Sequence, residues 1–168
     1  MDEKDKAQGK AESWFEDLVK SAYQGISELG PKDAEIVLRR CSESCQRFWL
    51  SILRNKFGWD PGSPDLDNFL SAQEAFEKHM SSGKAQITQK GNVIEEKFWD
   101  GECTCPLVKK YKLVKPFPNL CLCAQNTFKA VYEAGVKREV KAEVVESYCR
   151  GGKCCHLRFE IQGAKDQP

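Results

Sequence analysis

The chain has 168 residues, 40% hydrophobic and 30% charged, the balance of a single globular domain and not of a disordered polymer. Its 26 basic residues face 25 acidic ones, so a net charge of +1 supplies no phosphate-neutralising excess and excludes a nonspecific nucleic-acid binder. No apolar run approaches the roughly 20 residues that span a bilayer. The charged start MDEKDKAQGKAE has no secretory character, so a cytoplasmic protein is expected.

One domain over 1–168 is expected, with frayed ends at 1–10 and 163–168. Trp14, Phe15, Leu18, Val19, Ala22, Tyr23, Ile26 and Leu29 recur at helical spacing and predict a first amphipathic helix. Gly30-Pro31 ends it and opens a second helix to about Lys56, with Ile36, Val37, Cys41, Cys45, Phe48, Trp49, Ile52 and Leu53 facing inward. Ser63 and Pro64 are read as N-cap and first position of a third helix, which carries Leu66, Phe69, Leu70, Phe76 and Met80 and ends near Gly83. The period then changes to that of strands. Residues 84–89 and 92–98 form a hairpin about Lys90-Gly91, and 99–121 are irregular with one short helical turn. Residues 122–134 are helical up to Gly135, and strands at about 138–148 and 154–162 flank Gly151-Gly152. The fold class is α+β: N-terminal helices packed on a four-stranded antiparallel sheet with one crossover helix.

A two-residue turn centred on Gly151-Gly152 pairs Val144 with Phe159 and Ala142 with Ile161. Val140, Ala142, Val144, Glu146 and Tyr148 then share the core face with Cys155, Leu157, Phe159 and Ile161. A carboxylate on that face needs a partner. Glu146 either pairs with a lysine or arginine near the sheet edge or belongs to a metal or ligand site with Cys155 and neighbouring thiols.

Nine cysteines in a reducing compartment read as metal ligands, redox groups or small buried hydrophobes. Cys103 and Cys105, like Cys121 and Cys123, stand two residues apart. If extended, each pair faces one way, and a second thiol cluster of Cys103, Cys105, Cys121 and Cys154 is conceivable. Cys41 and Cys45 lie one helical turn apart on an apolar face and read first as core. Lys109, Lys110, Lys112 and Lys115 could lower nearby thiol pKa values, or form a solvated face. His79 and His156 are poorly placed as general bases, and no hydrolase triad, phosphate loop or dinucleotide fingerprint is present.

The order Cys123, Glu146, Cys149, Gly151-Gly152, Cys155, with Leu157, Phe159 and Ile161 alternating after it, resembles the 4-vinyl reductase domain over roughly the last 80 residues. That family is related in fold to nitric-oxide sensor domains and to subunits of the TRAPP transport particle. The resemblance implies a small-molecule-binding module for a hydrophobic or aromatic ligand. It also implies a structural zinc held by Cys123, Glu146, Cys149 and Cys155, provided the strand bends near Cys149. CTCPLV, LCLC and the Cys41/Cys45 pair are similar, more weakly, to uncharacterised relatives of thiazoline-carboxylate hydrolases. The alternative function is therefore a cysteine-dependent enzyme: a hydrolase of a small sulfur heterocycle, a thiol-redox catalyst or an iron–sulfur protein. The helices leave a homodimer possible.

Overall fold

The structure, a computed structural model, describes residues 3–63, 65–103, 105–111 and 118–163. Five helices and four strands follow in the order α1 (Glu3–Glu28), α2 (Pro31–Lys56), α3 (Leu66–Met80), β1 (Ala85–Lys90), β2 (Val93–Phe98), α4 (Pro106–Tyr111), α5 (Leu120–Val136), β3 (Val140–Glu146) and β4 (Cys155–Ile161). The strands form one antiparallel sheet in the order β1-β2-β4-β3, so α5 carries the chain across β4 to the far edge. Helices α3 and α5 pack against the sheet and α2 packs on α5, and the α+β expectation holds.

Several local expectations are corrected. The turn of the first hairpin lies at Gly91-Asn92, because Lys90 pairs with Val93. The N-cap of α3 is Asp65, whose side chain accepts from the N–H of Asp67 at 2.9 Å; Pro64 lies outside the described residues. Helix α1 extends back to Glu3, into the stretch read as a frayed end, while residues 1–2 and 164–168 lie outside the description. Gly135 does not stop α5, which runs to Val136 and ends on Lys137 with φ of 57°. A Cβ at Gly135 would stand 2.5 Å from the Phe69 ring, so this glycine lets α3 and α5 pack closely. In α2 the buried stripe is Ala34, Leu38, Ser42, Trp49 and Leu53, whereas Ile36, Val37 and Phe48 are exposed. An i, i+4 row sets this inward face, turning it away from the mixed apolar positions.

The aromatic core lies between α5 and the sheet. Tyr132 stacks on Phe159 with ring centres 4.0 Å apart, and Phe69, Phe76, Phe98 and Phe128 surround them. Each such ring removed from water contributes roughly 1.5–3 kcal/mol. This wall leaves its other side free to bound a cavity.

Candidate functional site: a thiol-lined cavity

A cavity of about 330 Å³ opens between α2, α5, the segment Cys103–Leu107 and the sheet. Phe48, Trp49, Phe98, Leu107, Leu120, Phe128, Val144 and Leu157 form its apolar walls. Seven cysteines also line it: Cys45, Cys103, Cys105, Cys121, Cys123, Cys149 and Cys155. All nine are free thiols. Cys41 packs against the core beside the cavity, and Cys154 is a half-buried residue of the last hairpin.

The thiols fall into two groups because α5 separates its own pair. Residues two apart on a helix point about 200° away from each other. Cys121 therefore faces the sheet, with Sγ 3.2 Å from Ser147 Oγ, while Cys123 faces α2 and shares a hydrogen bond with Cys45. The expectation that these two thiols face one way rested on an extended backbone, which the helix replaces. On the sheet side Cys149 and Cys103 share a hydrogen bond at 3.6 Å between sulfurs. Cys121 bonds to Cys149, and Cys155 bonds to Cys103. The result is a continuous run Cys155–Cys103–Cys149–Cys121.

The last hairpin makes this possible. Val144 pairs with Leu157 and Ala142 with Phe159, two residues from the expected register, so the same side chains stay inside. The register then slips between Val144 and Glu146, and a 3-10 turn at Tyr148–Arg150 replaces the simple two-residue turn. The two-residue turn expected at Gly151-Gly152 is thus replaced by a bend near Cys149, the condition attached to the implied ligand set. It buries Cys149 and leaves Cys154 facing elsewhere.

Glu146 remains on the cavity side, but the hairpin loop takes its carboxylate. The N–H of Lys153 donates to Oε1 at 2.6 Å, and the Cys154 thiol donates as well. These bonds hold the carboxyl below the ordinary range. Gly152 is required there, since a Cβ would stand 2.5 Å from Glu146 Cγ. Of the zinc ligands the resemblance implies, then, Cys149 and Cys155 lie in one thiol run, Cys123 lies with Cys45, and Glu146 closes the hairpin. Of the second expected cluster, Cys103 and Cys121 join that same run. Cys105 accepts the N–H of Lys109 through its carbonyl at the start of α4, and Cys154 bonds Glu146. Among the described residues, no three His, Cys, Asp or Glu side chains already stand in position to hold a metal ion.

The electrostatics follow the pairings. The Cys123 thiol donated to Cys45 pulls Cys45 down to about 7, against the opposing effect of burial, and Cys123 itself is pushed up. Its bond to Cys149 raises Cys103 to about 12. Lys109 does not serve the thiols; its ammonium lies 2.6 Å from Asp100. Lys110 sits over the Tyr111 ring, and Lys112 and Lys115 lie outside the described residues. His79 is exposed at the end of α3, and His156 lies on the outer sheet face near Glu95; neither lines the cavity.

One feature of the cavity wall escaped the sequence reading. Glu77 and Glu96 are both fully enclosed and hydrogen-bonded to each other. Gln73 Nε2 donates to both, at 3.0 and 3.1 Å, and Tyr132 donates its hydroxyl to Glu96. Trp49 Nε1 holds the Gln73 oxygen at 3.1 Å. Burial pushes Glu96 up to about 8, with Gln73 and Tyr132 pulling back, and burial beside Glu96 raises Glu77 well above the carboxylate range. The signal was available: Ile94, Glu96 and Phe98 alternate in β2 as Val144 and Glu146 do in β3.

This fold, helices packed on a β1-β2-β4-β3 sheet, is shared with one transport-particle subunit of known structure. The chain is similar to a solved trafficking protein particle complex subunit 3 from Naegleria fowleri, covalently bound to palmitic acid, with a TM-score of 0.56 and 13% identity. The match covers 92% of this chain and 99% of that one and shows the shared fold. No protein-family model matches the chain, and no curated protein matches it significantly in sequence. The transport-particle side of the resemblance therefore stands as fold, and the 4-vinyl reductase side as expectation. No helix among the described residues is long and apolar enough to cross a membrane.

Proposed function

We propose that the chain is a small-molecule-binding module that takes a hydrophobic ligand, an acyl chain or an aromatic compound, into the cavity between α2, α5 and the sheet. The observation that carries this is the cavity itself. Its volume of about 330 Å³ lies within the range of ligand sites, and its walls are aromatic and aliphatic with few polar groups. The palmitic acid held by the trafficking subunit of the same fold supports the acyl-chain class. Palmitic acid and naphthalene, titrated separately against a protein in which Trp14, Trp59 and Trp99 are replaced by Phe so that Trp49 alone reports, test the reading. Saturable binding of at least one is expected, and Ala124→Phe, which fills the cavity from α5, should weaken it by about tenfold or more, roughly 1.4 kcal/mol. Absence of saturable binding by both probes, or unchanged binding in a folded Ala124→Phe protein, ends the proposal.

A second reading, a cysteine-dependent enzyme, has one observation in its favour: Cys45, lowered to about 7, faces the cavity. Chloroacetamide should then modify Cys45 first among the nine thiols, and uniform slow labelling sinks it. Self-association through the exposed apolar side chains of α1 and α2 also belongs to this proposal.

A further inference from the structure

We propose that the hydrophobic ligand of the cavity carries a protonated amine, and that Glu77 takes this ammonium group beside the rings of Trp49, Phe98 and Phe128. This rests on the hydrophobic-ligand reading of the same cavity and adds the ligand's charge.

The ionisable groups of the cavity share one sign. No lysine, arginine or histidine lines it among the described residues. Its titratable side chains are two glutamates, Glu77 and Glu146, and seven thiols, all of which turn negative on losing a proton. Apolar walls strip water from a charged head, so a head inside needs an opposite charge within reach. For an anion these walls hold none. For a cation they hold a carboxyl.

The surroundings pick out which carboxyl. Glu146 is already taken by the Lys153 N–H at 2.6 Å and the Cys154 thiol. Glu77 is bound only within its own buried layer: Gln73 donates to Oε1 at 3.0 Å, and Glu96 shares a hydrogen bond with it. The oxygen of Gln73 accepts Trp49 Nε1 at 3.1 Å, which brings the indole beside the carboxyl. Phe128 meets the indole edge-on with ring centres 5.0 Å apart, and Phe98 lies 6.4 Å from Phe128. Glu77 and these three rings all line the cavity. Rings beside a carboxylate are what ammonium recognition requires: the ring faces attract the cation and the carboxylate neutralises it.

In the free protein, burial keeps a proton on the Glu77/Glu96 pair. The docking ammonium replaces it. The proton passes to solvent, an amine N–H donates to Glu77, and the net charge of the site is unchanged. Affinity therefore rises with pH for as long as the amine keeps its own proton. The groups that face the pair are Gln73 from α3, Tyr132 from α5 and Trp49 from α2, and none of them is a base. Cys45, lowered to about 7, lines the cavity and titrates in the same range, so proton counts are made in a Cys45→Ser background.

The test uses the full chain, reduced, with three probes of one shape: 1-naphthylmethylamine, 1-ethylnaphthalene and 1-naphthoate. Calorimetry at about pH 7 in two buffers of different ionisation enthalpy gives affinity and protons released. The amine should bind about tenfold or more tighter than the hydrocarbon, and the naphthoate about tenfold or more weaker than the hydrocarbon. Release of about one proton per amine bound is expected. Glu77→Gln, checked for folding by circular dichroism, should bring amine and hydrocarbon to within about threefold of each other and abolish the release. Should that variant not fold, the order of the three probes and the proton count on the Glu77-containing protein still decide. An amine that binds no tighter than the hydrocarbon, a naphthoate that equals the amine, or an amine preference that survives in folded Glu77→Gln overturns the proposal. In each of those cases binding of 1-ethylnaphthalene leaves the hydrophobic-ligand reading standing, whereas binding of none of the three removes both.

Discussion

The α1–α2 pair and the layer between α3 and the sheet break the usual inside–outside rule in opposite directions. On the helical pair Trp14 is 66% exposed and Phe48 57%, with Phe15, Leu18, Ile36 and Val37 also outside. Under α3, by contrast, Gln73, Glu77 and Glu96 are sealed from water. Apolar groups outside cost little individually, since much of any protein surface is apolar. Polar groups inside cost kilocalories unless each has its partner. The second departure is thus held in place by specific bonds, whereas the first needs none. Substitution should separate the two regions sharply.

The largest effect is expected inside. Glu96→Ala removes the acceptor for the Tyr132 hydroxyl and for one Gln73 proton, and opens a void beside Leu157, its cross-strand neighbour on β4. A loss of about 3 kcal/mol is expected, the scale of a buried network broken on one side. Glu96→Gln, which keeps the shape and an acceptor oxygen, should cost less than about 1.5 kcal/mol. Urea unfolding measures both. Equal values for the two variants would mean that loss of the carboxylate's second acceptor, and not the void, dominates the layer.

A smaller effect appears in pH dependence. Burial raises Glu77 and Glu96 above their unfolded values, so between about pH 4.3 and the folded values the native chain holds more protons than the unfolded one. Their contribution to stability is complete below about pH 4.3 and is lost as pH rises towards about 8, at no more than about 1.4 kcal/mol per pH unit for each group. Glu77→Gln keeps a hydrogen bond to Glu96 and removes one of the two groups. It should match wild type near pH 5 and exceed it by about 1 kcal/mol near pH 8. His156, lowered by burial and by Lys97, gives an opposite slope that is common to both proteins and cancels. Glu146 and Asp100, both held low, act below about pH 4.5, outside this window.

The contrast also explains what the sequence could and could not reveal. Alternation in β3 and β4 identified the inner face correctly, because a register error of two residues leaves every side chain on its side. It singled out Glu146 as a carboxylate in need of a partner, yet that partner is the backbone of the adjoining loop, which forms only once the 3-10 turn exists. The same alternation in Ile94, Glu96 and Phe98 marked a more deeply buried acid that the reading passed over, since no cysteine stood nearby in sequence. The thiol groups could not be sorted from spacing, because sorting them depends on the helix starting at Leu120, before both members of the Cys121/Cys123 pair. In α2 the inward row runs through small residues, Ala34 and Ser42, so the larger Ile36, Val37 and Phe48 drew the reading to the wrong face.

The smallest effect on folding is expected outside. Trp14→Ser combined with Ile36→Ser removes two exposed apolar side chains that do not line the cavity and stand largely in water. Monomer stability should shift by no more than about 0.5 kcal/mol for each change, the range for surface positions without a special role. If the outer apolar face serves self-association, light scattering should show a larger particle for wild type that shrinks to the monomer mass in the double variant. If wild type and variant scatter alike while both unfold at the same urea concentration, the helical pair is simply a surface with large side chains. The comparison then reduces to its inner half, where every buried acid and amide must be paired for the layer to form.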